Sequence, residues 1–174
     1  VDQADYKTYI FPLLFFKRIC DVYDEEYQKA LEDSGGKIEE ALFRENYHFV
    51  IPKGCHWKDV RQQTENVGQA LSAAMRCIEK ENQDTLYEIF GDAQWTNKQL
   101  FSDKLLIDLI EHFSEHNLAN RNVEPDLAGQ AYEYLIKKFA DLSNKKAGEF
   151  YTPRPVIRLM TLILQPHDAE TVYD

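Results

Sequence analysis

Near the end of the chain, the run G-E-F-Y-T-P-R-P from Gly148 to Pro155 gathers residue types that suit a small ligand. Thr152 followed by Pro153 fits a helix N-cap with proline at the first helical position, where its missing N–H costs nothing. Such a start exposes backbone N–H groups and the positive end of the helix dipole, which suits a carboxylate or phosphate. Phe150 and Tyr151 offer a flat face to a purine or an apolar wall to a methionyl chain, and Gly148 lets the backbone approach closely. The same residues also fit a plainer role, a helix cap beside two aromatics packed in a core. On residue types alone that plainer role stands ahead.

Two other groups of residues invite a chemical reading. His112 and His116 lie four apart in H-F-S-E-H, a spacing that sets two imidazoles on one helical face as in a metal site. Glu115 is not where an H-E-x-x-H site needs its base, so the pair reads as exposed helix histidines and no metal is expected. The three cysteines, Cys20, Cys55 and Cys77, are odd in number and lack C-x-x-C spacing. They read as reduced thiols of a cytoplasmic protein.

The composition sets the frame for these residues. The chain has 174 residues, 44% of them hydrophobic, with ten Phe, ten Tyr and only seven Gly. That is enough to bury a core, and it favours helices over a turn-rich β fold. The apolar run Y-I-F-P-L-L-F-F is followed at once by charged residues and is too short to span a bilayer, so no membrane segment is expected. Net charge is −10, which would repel a polyanion as a whole. Between residues 137 and 158, however, six basic side chains (Lys137, Lys138, Lys145, Lys146, Arg154, Arg158) face two acidic ones, a local balance of +4. Lysines closing a helix C-terminus account well for Lys137 and Lys138; that role accounts less well for Lys145, Lys146 and the two arginines.

Stepping along the chain, Tyr9, Leu13, Phe16, Cys20, Tyr23, Tyr27 and Leu31 recur at steps of four and three, one apolar stripe on a long helix. Pro12 predicts a kink or a fresh start. Ser34-Gly35-Gly36 predicts the helix end, because glycine takes the left-handed cap. Residues 47–57 read as an extended connection anchored by Trp57. Val67, Leu71, Ala74 or Met75, and Ile78 predict a helix with Asn66 as its N-cap, fading near Asn82. Leu106, Leu109, Ile110 and Phe113 predict another. Leu127, Ala131, Leu135 and Phe139 predict a third with Asp126 as cap, after an Asn-rich connector from Glu115 to Pro125. Val156, Met160 and Ile163 give helical spacing up to Pro166, and Thr171, Val172 and Tyr173 predict a strand that delivers Asp174. A helix feeding a strand that ends in Asp is how many nucleotide-binding α/β domains begin.

The stretch from Asp126 to Met160, D-L-A-G-Q-A-Y-E-Y-L-I-K-K-F-A-D-L-S-N-K-K-A-G-E-F-Y-T-P-R-P-V-I-R-L-M, closely resembles the modification (M) subunit of type I restriction-modification systems, N6-adenine DNA methyltransferases. Leu13–Glu26, Phe49–Trp57 and the helix from Asn66 are similar to that family's N-terminal helical domain, in the same order. The resemblance implies a mainly α chain: an N-terminal helical bundle over residues 1–143, then, over 144–174, the opening helix and first strand of a Rossmann-like methyltransferase domain. It implies that Glu149, Phe150, Tyr151, Thr152, Pro153 and Arg154 line one side of an S-adenosylmethionine site. Lys145, Lys146 and Arg158 would contact DNA or a partner. The implied partners are DNA, a specificity subunit, a second M subunit and a restriction subunit.

The family's glycine-rich D-P-x-x-G-T-G loop would begin at Asp174, and its N-P-P-F motif, which receives the flipped adenine, would lie further on. With a first residue Val1 and helical periodicity starting at once, the sequence reads as a fragment, with no catalytic residue of its own and inactive alone. The alternative is a stand-alone helical interaction module in which E-F-Y-T-P merely caps a helix.

Overall fold

In a computed structural model, residues 6–123, 129–130, 133–134, 152–171 and 173 are described. The chain is mainly helical, and no strand occurs among the described residues. Thr171 and Tyr173, expected in a strand, carry no strand pairing; Val172 and Asp174 lie outside the described residues.

Helix α1 runs unbroken from Tyr6 to Asp33, with Pro12 inside it. Of the kink or fresh start expected at Pro12, the fresh start does not occur. Leu13 and Phe16, directly after it, are fully buried, and that burial outweighs the single ladder bond proline removes. The end of α1 follows the sequence: Gly35 and Gly36 take φ of 65° and 87°, and the Gly36 N–H closes back on the Leu31 carbonyl at 2.8 Å.

A short α2 (Ile38–Ala41) and a 3-10 turn (Arg44–Asn46) fold back along α1. The segment up to His56 is the expected extended connection, and Trp57, its anchor, opens α3 (Trp57–Arg61). There His56 accepts the Lys58 N–H while Asp59 accepts the His56 N–H, a reciprocal cap.

Helix α4 (Val67–Glu81) ends at Asn82 as its periodicity predicts, and runs into α5 (Gln83–Leu86). Its N-cap chemistry differs from expectation. Asn66 sits at the cap position with φ of 52° and makes no side-chain cap. Asp103 of α6 (Asp103–Ser114) instead accepts the N–H groups of Asn66 and Val67, leaving the Asn66 Oδ1 to accept from Lys98. Asn82 is buried and holds the extended segment by both sides of one residue, accepting the Val50 N–H and donating to the Val50 carbonyl, each at 2.8 Å.

The core lies where α1, α3, α4 and α6 meet. Leu13, Phe16 and Cys20 from α1 pack with Trp57, Leu71, Met75, Ile78, Phe90, Leu106 and Ile110. Trp57 ties three helices together: its backbone N–H points at the Cys20 sulfur, and its indole N–H donates to Ser114 Oγ at 2.9 Å. Gly68 lies so close to the Trp95 carbonyl that an added Cβ would stand 2.1 Å from its oxygen. The three cysteines are free. Burial pushes the Cys20 thiol far up. Burial and the neighbouring Cys77 thiol push Cys55 up to about 12. Among the described residues, no helix is long and apolar enough to cross a membrane.

Candidate cofactor motif and the clasped turn

The last helix, α7, spans Arg154–Leu164. It begins one residue later than Thr152-Pro153 predicts: Pro153 occupies the N-cap position, Arg154 is the first helical residue and Pro155 the second, with no side-chain cap bond. Two prolines spaced P-R-P allow either register, since both lack an N–H that the first turn leaves without a partner anyway. The consequence for ligand binding is direct. Pro153 and Pro155 carry no N–H, and the Val156 and Ile157 N–H groups both close on the Pro153 carbonyl, at 2.8 and 3.2 Å. At most the Arg154 N–H remains for a ligand, so this helix start is a poor anion cradle. Thr152 and Pro153, both exposed, present a hydroxyl and an apolar ring to the surface.

Glu149, Phe150 and Tyr151, the other expected wall residues, lie outside the described residues, as do Lys145 and Lys146. Arg158 is exposed on α7. So are the helix's apolar residues: Val156, Ile157, Leu159, Met160, Leu162, Ile163 and Leu164 are 43–73% exposed.

A polar network on the described surface belongs to a part of the chain the sequence marks only as a connector. Residues 117–123 form a turn organised by Asn117, whose Oδ1 accepts the Ala119 N–H and the Asn122 side-chain amide. Three side chains of α1 at helical spacing grip it. Asp21 accepts the Leu118 N–H at 2.7 Å, and Arg18 donates to the Leu118 carbonyl and, at 2.8 Å, to Asn120 Oδ1. Glu25 accepts the Asn120 and Arg121 N–H groups, one on each carboxylate oxygen, at 2.9 and 3.0 Å. Asp21 also pairs with the buried Lys17, and Ala119 is completely buried beneath the turn. Bonds between ionised side chains and peptide groups are among the stronger kind.

Clefts open along α1 beside this turn. One of about 670 Å³ is lined by Glu25, Glu26, Asp33, His48 and Arg121 among others; one of about 390 Å³ has walls of Phe15, Ile19, Val22, Phe49 and Ile89. Glu26 binds His48 through both its ring and its backbone N–H. On the opposite side His56 Nε2 stands 3.3 Å from Asp24 Oδ1, and Lys58 reaches Asp24 Oδ2 at 2.7 Å. Burial opposes ionisation of Asp24, yet the His56 and Lys58 contacts outweigh it and hold the carboxyl below its usual range. These pairs are structural ties between elements. The two histidines His112 and His116 have ring centres 6.2 Å apart, with Glu115 3.7 Å from His112. No group of three or more metal-ligating side chains occurs among the described residues.

Comparison with known proteins divides the chain in two. The HsdM N-terminal domain matches residues 1–113, and N-6 DNA Methylase matches residues 123–174. The MjaVIII methylase subunit of a type I restriction enzyme from Methanocaldococcus jannaschii is 30% identical, over 99% of this chain and 30% of that protein. The EcoEI methylase subunit from Escherichia coli is 28% identical over 92% of this chain and 32% of its own length. The MjaIX subunit of M. jannaschii is 22% identical over 94% and 32%. The chain thus spans about a third of the length of these relatives. With an HsdM helical domain over most of its length and an N-6 DNA Methylase segment after it, the chain belongs to the family of type I restriction enzyme methylase subunits.

Proposed function

We propose that this chain is the N-terminal part of a type I restriction-modification methyltransferase subunit that methylates adenine N6 in DNA with S-adenosylmethionine as methyl donor. The observation that carries the reading is the N-6 DNA Methylase match over residues 123–174, because it contains the G-E-F-Y-T-P-R-P run. Residues 1–143 then form the helical domain, and 144–174 open a Rossmann-like domain with α7 and a first strand at 171–173. Glu149, Phe150, Tyr151, Thr152, Pro153 and Arg154 form one wall of the cofactor site. The exposed Thr152 and Pro153 support that role, and the scarcity of free first-turn amides supports a wall rather than a grip on charged groups. Lys145, Lys146 and Arg158 touch DNA or a neighbouring subunit. The partners are DNA, a specificity subunit, a second methylase subunit and a restriction subunit, in the cytoplasm. A stand-alone interaction module leaves the methylase match unexplained.

The test is a methylation assay with labelled S-adenosylmethionine on the complete methylase subunit carrying this chain, joined by its specificity subunit, with residues 1–174 alone in parallel. Label should enter adenine N6 only in the complete assembly. Tyr151→Ala in that assembly should weaken cofactor binding about tenfold, or roughly 1.4 kcal/mol, with the fold intact. An inactive wild-type assembly would sink the reading, and unchanged affinity in the variant would return Tyr151 to packing.

A further inference from the structure

Residues 114–122 fall between the two family matches, where a free linker is the ordinary expectation. The structure puts a gripped turn there instead. We propose that Arg18, Asp21 and Glu25 are positioning residues that clamp this turn to α1, so that the chain enters the segment matched by N-6 DNA Methylase, which begins at residue 123 ahead of the Rossmann-like opening at 144, from one fixed point on the helices before it. This rests on the methyltransferase reading above.

The arrangement has the marks of a fixed mount. Arg18, Asp21 and Glu25 form a single stripe on α1, at steps of three and four, on the one element whose opposite face holds the core through Leu13, Phe16 and Cys20. The Leu118 peptide is held on both sides, its N–H by Asp21 and its carbonyl by Arg18. The Glu25 carboxylate takes two successive N–H groups. Five hydrogen bonds from three charged side chains therefore converge on the peptide groups of Leu118, Asn120 and Arg121 and on the Asn120 side chain. The Val123 N–H closes on the Ala119 carbonyl at 3.1 Å, carrying the order to the first residue of the methylase match.

If the grip is removed, residues 115–123 become tether. At about 3.3–3.6 Å per residue they add roughly 30 Å of reach between the two parts. Where both parts must engage the same DNA and subunits at once, a longer flexible connection lowers the effective concentration of one for the other's target. The chemical step, once everything is bound, is unaffected. The clamp therefore acts on assembly with substrate and leaves turnover alone.

The experiment compares the wild-type methylase subunit, with its specificity subunit, against Glu25→Ala, Arg18→Ala and the double variant. Asp21 is left intact because it also neutralises buried Lys17. In the double variant we expect KM for DNA to rise about tenfold with kcat within about twofold. Amide exchange should lose protection at Asn120 and Arg121 and keep it at Leu71 and Ile110. Glu25→Gln, whose amide oxygen still accepts an N–H, should recover most of the Glu25→Ala loss. Lost protection at Asn120 and Arg121 with an unchanged KM would overturn the positioning role, and retained protection would overturn the clamp itself. If the double variant loses protection at Leu71 and Ile110, Glu25→Ala carries the same comparison, since both Glu25 bonds to the turn lie at the solvent-exposed surface. A wild-type assembly without adenine methylation would remove the methyltransferase reading and this inference with it, whereas an active wild type with unaltered variants removes this inference alone.

Discussion

The carboxylate of Asp103, on α6, accepts the N–H of Val67 at 3.0 Å and that of Asn66 at 3.1 Å, so one helix caps the start of another. Partial burial opposes ionisation of this carboxyl, but the two N–H groups and the Lys98 ammonium 3.6 Å away outweigh it and lower its pKa below 3.8. A carboxyl with a lowered folded pKa stabilises the fold above its unfolded pKa, and that contribution is lost as pH falls through the folded value. Asp103→Asn should therefore lower the thermal midpoint at pH 7 and narrow its gap from wild type at pH 3. A gap that stays constant from pH 7 to pH 3 would show that the charge is not what caps α4.

Leu13, the residue after Pro12, and Phe16, one turn on, are fully buried. Leu13→Ala should cost about 2–5 kcal/mol and Phe16→Ala about 3–5 kcal/mol in chemical denaturation. Losses below roughly half a kcal/mol at both would mean that this face is not core.

Gly68 is a case where two effects have opposite sign. Alanine is the better helix former by about 1 kcal/mol, but its Cβ would meet the Trp95 carbonyl oxygen at 2.1 Å, a backbone atom that cannot swing aside. Steric crowding of this kind costs about 1–3 kcal/mol or more. Gly68→Ala should be net destabilising by urea titration, and a stabilised variant would show that the 95 region can retreat from α4.

Thr152→Ala should leave stability within about 0.5 kcal/mol of wild type, because α7 takes no side-chain cap from residue 152. A loss of cofactor affinity without a stability change would make the Thr152 hydroxyl a direct contact. A stability loss of about 1 kcal/mol would restore the cap.

The long elements can be read from the sequence because their apolar stripes repeat over three or more turns, as in α1, α4 and α6. Helices α2, α3 and α5, of four or five residues, have no period to detect and exist through their contacts with longer neighbours. The Asn66 cap is misread because a side chain from residue 103 takes the task, and no local rule sees 37 positions ahead. A greater separation, 95 to 102 positions, hides the clasped turn. Arg18, Asp21 and Glu25 at steps of three and four, and the Asn-rich stretch after His116, are both visible in the sequence. A charged stripe usually marks a solvated helix face, and asparagines usually mark a loop. Of the expected cofactor wall, Glu149, Phe150 and Tyr151 lie outside the described residues, and P-R-P shifts the helix start by one residue.

Helix α1 comes first in the chain, yet the side chains that cover its stripe come late: Phe16 shares its core with Met75, Ile78 and finally Ile110, 94 positions further on. At a synthesis rate of about 5–20 residues per second, the stripe waits roughly 5–19 s on the ribosome before its last partner is made. During that interval a 28-residue amphipathic helix stands ready for any apolar surface nearby. Newly made chains should therefore depend on chaperones that hold exposed apolar segments, and the dependence should ease when translation is fast and deepen when codons between residues 20 and 110 slow it.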